Sequence, residues 1–492
     1  MTVLDRRAVL HGVGAMIGAA IVRPRAAFGA LRYAQGKTAP AISPLMTTLS
    51  TYMSDARARA LPDDVAEKAK HHIVDTLAAM VSGTELAPGR VALQFAATHG
   101  EQIATVAGSQ LLCGPIEAAF VNAMLAHADE TDDSHAPSQS HPGCAVVPAA
   151  LAAGERFGVD GHAFIRAVAL GYDIGTRVTM TVGIPGFETE THISTHALAS
   201  LFGASAAAAS AAGLSAQQMR WVLDYSVQQA SGTKLWQRDT DHIEKAFVFA
   251  GVGARGGVMA AELVRLGATG VDDVLSGENN FVATFAPKAN PQKLVDGLGE
   301  RYEIARTNIK RWTVGSPIQA PLDALELIFK RRAFDADAVK EVVVRCATSE
   351  AALVDNREMP DICMQHMVAV MLVDKTASFR AAHDKPRMQD PAILRQRAKV
   401  RLVRDAELEQ HLPRREAIVE VTLADGTRLT ERVDAVRGTA ENPMARAEVV
   451  SKCQDLMAPI LGADRSASLV EKVLNLEKIG DVRALRPLLQ RS

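Results

Sequence analysis

Between Leu201 and Leu214 the chain reads LFGASAAAASAAGL, a run of Ala, Ser and Gly broken only by two Leu and one Phe. So little side chain can be buried only if other backbones come close to it. Alanine is also the best helix former, so the run predicts a helix deep inside a bundle. Its serines and its lack of large apolar side chains argue against a membrane span. From about residue 44 to 275 the patterning stays helical. Gly114-Pro115 followed by Ile116, Ala119, Phe120, Ala123, Met124 and His127 predicts a helix opened by proline at its first position. After about residue 307 the period changes. Val339 to Cys346 (VKEVVVRC), Val400 to Val403 and Ala417 to Leu423 are β-branched runs of strand length. Asp425-Gly426 then predicts a hairpin into Arg428 to Val433. Helical patterning resumes after Asn442-Pro443. The predicted fold class is therefore mainly α with a smaller α+β domain. A large all-helical domain (residues 44–307 and 438–492) is interrupted by an inserted α+β domain (308–437).

The first thirty residues stand apart. Arg6-Arg7 precede an apolar, small-residue run from Ala8 to Val22, and Ala26-Ala27-Phe28-Gly29-Ala30 offers small residues to a peptidase. The run is shorter than the roughly 20 residues a helix needs to cross a bilayer. Its parts are those of an export signal, and the paired arginines resemble the twin-arginine class. Residues 1–30 are thus expected to direct a folded protein to the periplasm. The alternative is an ordinary N-terminal helix on a cytoplasmic protein.

Composition excludes several functions. At 48% hydrophobic and 22% charged residues, the 492-residue chain is not a disordered one. Lys plus Arg number 54 against 56 Asp plus Glu, so there is no basic excess to hold nucleic acid. Five cysteines are scattered without a C-x-x-C pair, which supports neither a zinc ribbon, an iron–sulfur cluster nor a disulfide framework. They are expected to be buried. No stable membrane span is expected in the mature chain, and a small molecule is the expected partner.

The densest polar string, His127-Ala-Asp129-Glu130-Thr131-Asp132-Asp133-Ser134-His135, is followed by His141-Pro142-Gly143 and lies between two apolar segments. Charge runs are usually solvated surface. Three histidines and several acids wedged between core segments point instead to a site. Other polar candidates are Thr191 to His196, Asp239 to Lys245 and Asn308 to Trp312. On residue types alone, Asp129, Asp132, Asp133 and the histidines also suit a hard divalent ion.

Several of these strings, in order, resemble the MmgE/PrpD family, which includes 2-methylcitrate dehydratase and cis-aconitate decarboxylase. The pattern H-x-x-[DE]-x-D-D-[TS]-H, then H-P-[SG] and V-x-P, is met by His127, Glu130, Asp132, Asp133, Ser134, His135, His141-Pro142-Gly143 and Val147-Pro148. Phe202 to Ser215, Asp241 to Lys245, Asn308 to Lys310 and Glu441 to Met444 also fit, and the resemblance runs from about residue 45 to 480. It implies a homodimer of two-domain subunits with a lid-like α+β domain. It implies lyase chemistry on a small di- or tricarboxylate, with no metal and no organic cofactor. The family's cleft acid falls on Glu130, its hydroxyl residue on Ser134, its first histidine on His141 and its lysines on Lys245 and Lys310. The second histidine falls in Thr191–His196. An ungapped count lands on Ser194, so a small shift is needed, and His196 is preferred over His192. The family's cleft tyrosine falls near Val354-Asp355-Asn356, where this chain has none. Glu130, His141 and His196 are accordingly the expected catalytic residues, with Asp133, Ser134, Lys245 and Lys310 binding substrate.

Such residues suit proton removal beside a carboxylate. The resulting enediolate needs fixed positive charge and donors, and histidine titrates near neutrality as base or acid. Dehydration, decarboxylation and epimerisation all use this constellation, so the residues do not choose among them. The competing readings are a metal-dependent lyase or hydrolase built on the Asp/His loop, and an exported carboxylate-binding protein without catalysis.

Overall fold

A computed structural model describes residues 41–183, 186–286 and 288–491. The Arg6-Arg7 export run lies outside the described residues. The small-residue run forms the second half of a buried helix, Thr195–Ala211. It packs against the helices Gly143–Phe157, Gly161–Thr181 and Val252–Arg265. Glycines set the spacing on two sides. A Cβ on Gly203 would lie 2.8 Å from the carbonyl oxygen of Gly171, and one on Gly257 would lie 2.5 Å from the backbone nitrogen of Ser205. Both are steric collisions, so any larger residue would push the helices apart.

Proline opens the helix Pro115–Ala126, which ends at His127. The helical part is not wholly helical, since a short antiparallel ribbon pairs β1 (Ala104–Thr105) with β2 (Leu112–Cys113). By length and composition one helix, Ile243–Arg265, is apolar enough to cross a membrane, but two thirds of its apolar window is buried inside the protein.

The second part is a four-stranded sheet with helices. Its strands are β3 (Val339–Ala347), β4 (Val400–Asp405), β5 (Ala417–Leu423) and β6 (Arg428–Val433), in the order β4-β3-β5-β6. β3 runs parallel to β4 and antiparallel to β5. A parallel pair needs a long crossover, here a connection carrying the helices Thr348–Val354, Met364–Asp374, Phe379–His383 and Pro391–Arg397. The β5–β6 hairpin turns at Asp425-Gly426, with Gly426 at φ 86° and the Asp425 carboxylate accepting from the Thr427 N–H at 2.8 Å. Along β5, Ala417, Val419, Val421 and Leu423 face inward, the period-2 pattern of a half-buried strand.

Two apolar cores result. One gathers side chains from Met46 to Ile309 and from Met444 to Leu489, and the other those from Trp312 to Val436. The chain crosses between them twice at one place, where the Ile309 N–H donates to the Gly438 carbonyl at 3.0 Å. Gly438 sits at φ 100°, and a Cβ there would lie 1.9 Å from the Ile309 oxygen, so this close double crossing requires glycine. All five cysteines are free and buried.

Candidate active site

The acidic string leaves the Pro115–Ala126 helix and is buried from His127 to His135. Buried charge is costly unless paired, and here each acid has a partner. Glu130 is held between two ammonium groups. Lys245 Nζ bonds its Oε1, and Lys310 Nζ lies 3.3 Å from its Oε2 while donating to its carbonyl oxygen at 2.9 Å. Asp132 accepts from His127 Nδ1 at 2.8 Å and lies 3.3 Å from His141 Nδ1 and 3.5 Å from Lys310 Nζ. Asp129 pairs with His383 of the α+β part at 2.8 Å. The string is anchored where Ser134 and Asn308 exchange backbone hydrogen bonds of 3.0 and 2.8 Å, which places Lys310 two residues further on beneath Glu130.

Two further elements complete the site. The helix holding His196 starts at Thr195, whose N–H donates to Glu188 Oε1 at 2.9 Å. His196 stacks on Phe249 at 3.8 Å between ring centroids and lies 5.2 Å from the His141 ring. Lys245 belongs to the first turn of Ile243–Arg265, whose backbone widens into a π-turn at Phe247–Gly251. Such turns concentrate at functional sites, and this one carries Phe249, the ring on which His127 and His196 both stack.

A cavity of about 160 Å³ opens here. Its titratable lining is Glu130, His141, His196 and Lys245 from the helical part, with Arg357 and Arg415 from the α+β part. A neighbouring cavity of about 190 Å³ shares Ser316 and Arg415 with it and is lined by Ser134 and Lys310. The neighbour has no imidazole in its wall, so the histidine cavity is the one equipped to move protons.

The electrostatics fit that assignment. Burial alone would raise the Glu130 carboxyl, but Lys245 and Lys310 outweigh it and hold the group well below the usual carboxylate range. Asp132 is likewise held down, against its burial, by His127, His141 and Lys310. Burial pushes His141 below the ordinary histidine value despite Asp132. Burial pushes His196 further down, helped by His141 and Lys245. Both imidazoles are therefore neutral near pH 7 and able to accept a proton.

Of the expected residues, Glu130, His141, His196 and Lys245 meet in one cavity, and Lys310 braces it from behind. Of the two candidate histidines, His192 is exposed at φ 59°, whereas His196 lines the cavity. Two of the expected residues lie outside this cavity. Asp133 does not reach the cavity. It faces the helical core, where it accepts from Tyr172 Oη and from the Gly143 N–H at 3.0 Å and lies 3.0 Å from His72 Nδ1. Ser134, paired through its backbone with Asn308, opens on the neighbouring cavity.

Sequence reasoning missed several residues. His242 lay inside the quoted Asp239–Lys245 string and is buried at φ 67° with neither ring nitrogen hydrogen-bonded. Arg357 and Arg415 carried no signal, since nothing local marks a surface arginine that a fold will turn inward. As metal donors, His127, Asp132 and His141, or His127, Glu130 and His242, place ligand atoms within 4.8 Å of one another. The fit to a divalent ion is poor, because the ammonium groups of Lys245 and Lys310 already occupy the faces of Glu130 and Asp132.

Comparison with known proteins bears on most of the chain. The MmgE/PrpD N-terminal domain model matches residues 47–294, and the MmgE/PrpD C-terminal domain model matches residues 312–478. Human cis-aconitate decarboxylase is 25% identical over 464 residues, covering 87% of this chain and 91% of that protein. An Aspergillus terreus cis-aconitate decarboxylase is 25% identical over 463 residues, with 87% and 92% covered. The mouse cis-aconitate decarboxylase is 23% identical over 453 residues, with 87% and 90% covered.

Proposed function

The chain belongs to the MmgE/PrpD family, and from that premise we propose that it is a lyase of the dehydratase or decarboxylase type, moving a proton beside a carboxylate of a small di- or tricarboxylate. The observation that carries this reading is the pair of neutral, stacked imidazoles, His141 and His196, in a cavity that also holds Lys245. His141 is the base or acid at carbon, and Asp132 beside its Nδ1 orients the ring and stabilises its charged form. His196 serves the second proton transfer. Removing the α-proton leaves an enediolate whose charge falls near Lys245, an electrostatic stabilisation already in place before reaction. In a dehydration the second histidine protonates the departing hydroxyl. In a decarboxylation carbon dioxide leaves and a histidine protonates the carbon it left. The cis-aconitate decarboxylases among its relatives favour trying decarboxylation first.

The test is a screen of small di- and tricarboxylates in deuterated water, following deuterium at carbon by NMR together with release of water or carbon dioxide. At least one substrate is expected to turn over, with activity unaffected by chelator. No exchange with any carboxylate refutes the lyase reading. Activity lost to chelator and restored by one divalent ion refutes proton transfer by side chains alone in favour of a metal.

Arg6-Arg7 and the apolar run behind them support export through the twin-arginine route, and family resemblance supports a homodimer. Arg6→Lys with Arg7→Lys should stop periplasmic accumulation; unchanged accumulation refutes that route. Sedimentation of the mature chain tests the dimer.

A further inference from the structure

The cations around the histidine cavity are not equivalent. Lys245 and Lys310 are both bonded to Glu130, and Lys310 also lies against Asp132. Arg415 places Nε 2.6 Å from Glu350 Oε1. Arg357, half-buried in the same wall, has no hydrogen bond, ion pair or ring contact from its guanidinium to any described residue. The turn that presents it is fixed. Asn356 just before it sits at φ 48° and donates its N–H to Gln365 Oε1 at 2.9 Å, while Gln365 Nε2 donates to Asp355 Oδ1 at 2.7 Å. A guanidinium carried on a fixed turn and left unpaired beside a cavity is open to an anion, and its planar fork matches a carboxylate.

The surroundings of Arg357 define what the rest of that anion looks like. Leu353, Val354, Met359 and Ile362 line the same wall. Among the described residues lining this cavity, Arg357 is the cation without a partner, and the resemblance puts a tyrosine near Val354-Asp355-Asn356. Arg357 is thus an unpartnered guanidinium set in an apolar patch, whereas Arg415 in the same wall is tied through Nε to Glu350.

Resting on the lyase reading above, we propose that Arg357 anchors the substrate carboxylate remote from the histidines and that the patch beside it accepts an uncharged arm. The substrate class is then a dicarboxylate bearing an apolar substituent, in preference to a tricarboxylate, whose third carboxylate would meet Leu353, Val354 and Ile362.

Calorimetric titration of the full chain tests this, with citraconate as the methyl-bearing dicarboxylate probe and cis-aconitate as the tricarboxylate. The wild type should bind citraconate more tightly. Arg357→Met should weaken citraconate binding about ten- to a hundred-fold, the scale of a lost charge-assisted contact, and Arg357→Lys should recover part of it. Because the guanidinium makes no contact in the free protein, these variants should unfold as the wild type does. Leu353 is 45% exposed, so Leu353→Lys is tolerated and should shift preference toward cis-aconitate. Binding is read without turnover, so citraconate held through Arg357 while no carboxylate in the screen exchanges deuterium would support this inference and refute the lyase. Arg357→Met titrating like the wild type would overturn it. So would a wild type that prefers cis-aconitate or binds neither probe.

Discussion

Two groups of buried charge grow from the same short string, and they do opposite things. Glu130 lines the cavity and Asp132 lies against His141 of its wall, with Lys245, Lys310 and His127 around the two acids. Asp133, the next residue, faces the core with Tyr172, His72 and the Gly143 N–H. Both groups are buried and both are paired. They differ in what lies beside them: the first borders open space lined by neutral imidazoles, the second is closed on all sides by side chains. Burial and pairing alone therefore do not mark a catalytic charge. Gly143 shows how tight the second group is, since a Cβ there would lie 2.5 Å from Tyr172 Oη and 2.7 Å from Asp133 Oδ2.

If this contrast is right, the largest effect on stability comes from the core group. Asp133→Ala strips partners from His72, Tyr172 and the Gly143 N–H at once, all of them out of reach of water. Removing one member of such a buried set typically costs about 3–5 kcal/mol. Denaturant unfolding should show that loss, while turnover per folded molecule stays within a few-fold of wild type. A variant as stable as the wild type but inactive would put Asp133 in the site after all.

The cavity group should respond the other way. His141→Gln removes a ring whose Nδ1 has only a long approach to Asp132, so stability should change little. Turnover should fall about a hundred-fold or more, the usual scale for a general acid–base group. The pH profile sharpens the comparison. Only the neutral ring accepts a proton, and burial lowers the His141 value below 6.5. The acid limb of kcat/KM should therefore lie below pH 6.5 and vanish from the residual activity of the variant. An acid limb unchanged by the substitution would assign the titration to another group.

What the sequence revealed follows the same division. The proline at 115 and the Asp425-Gly426 turn were legible because backbone chemistry fixes them locally. Glu130, His141, Lys245 and Lys310 were legible because ordered motifs carried them. The opposite facing of Asp132 and Asp133 was not, because outside a helix or strand no period says which way neighbouring side chains point. Arg357 and His383 were invisible for another reason. His383 meets Asp129, and Arg357 joins the cavity wall, only after the crossover between β3 and β4 has been folded back, and no local pattern encodes that.

The smallest expected effect tests the contact between the two parts. His383 meets Asp129 at 2.8 Å and also faces Asp361, while its Nδ1 lies 2.6 Å from the Phe379 carbonyl oxygen. Burial would lower this imidazole, but Asp129 and Asp361 outweigh it and raise it to about 9. Asp361 is itself pushed up to about 6 by burial, so it is ionised over the alkaline range. A group whose folded value exceeds its unfolded one stabilises the fold fully below the unfolded value, near 6.5, and loses that contribution as pH rises through about 9. On the acid side the pair weakens only when Asp129 is protonated, and that carboxyl is held below 3.8 by His383 and Thr131 against its burial. Stability of the wild type should therefore fall between pH 6.5 and 9, and His383→Gln should flatten that slope while costing stability mainly at the lower end. The same slope in both proteins would mean that the Asp129–His383 contact behaves like the closed core group, insulated from pH, and not as a titrating tie between the parts that form the cavity.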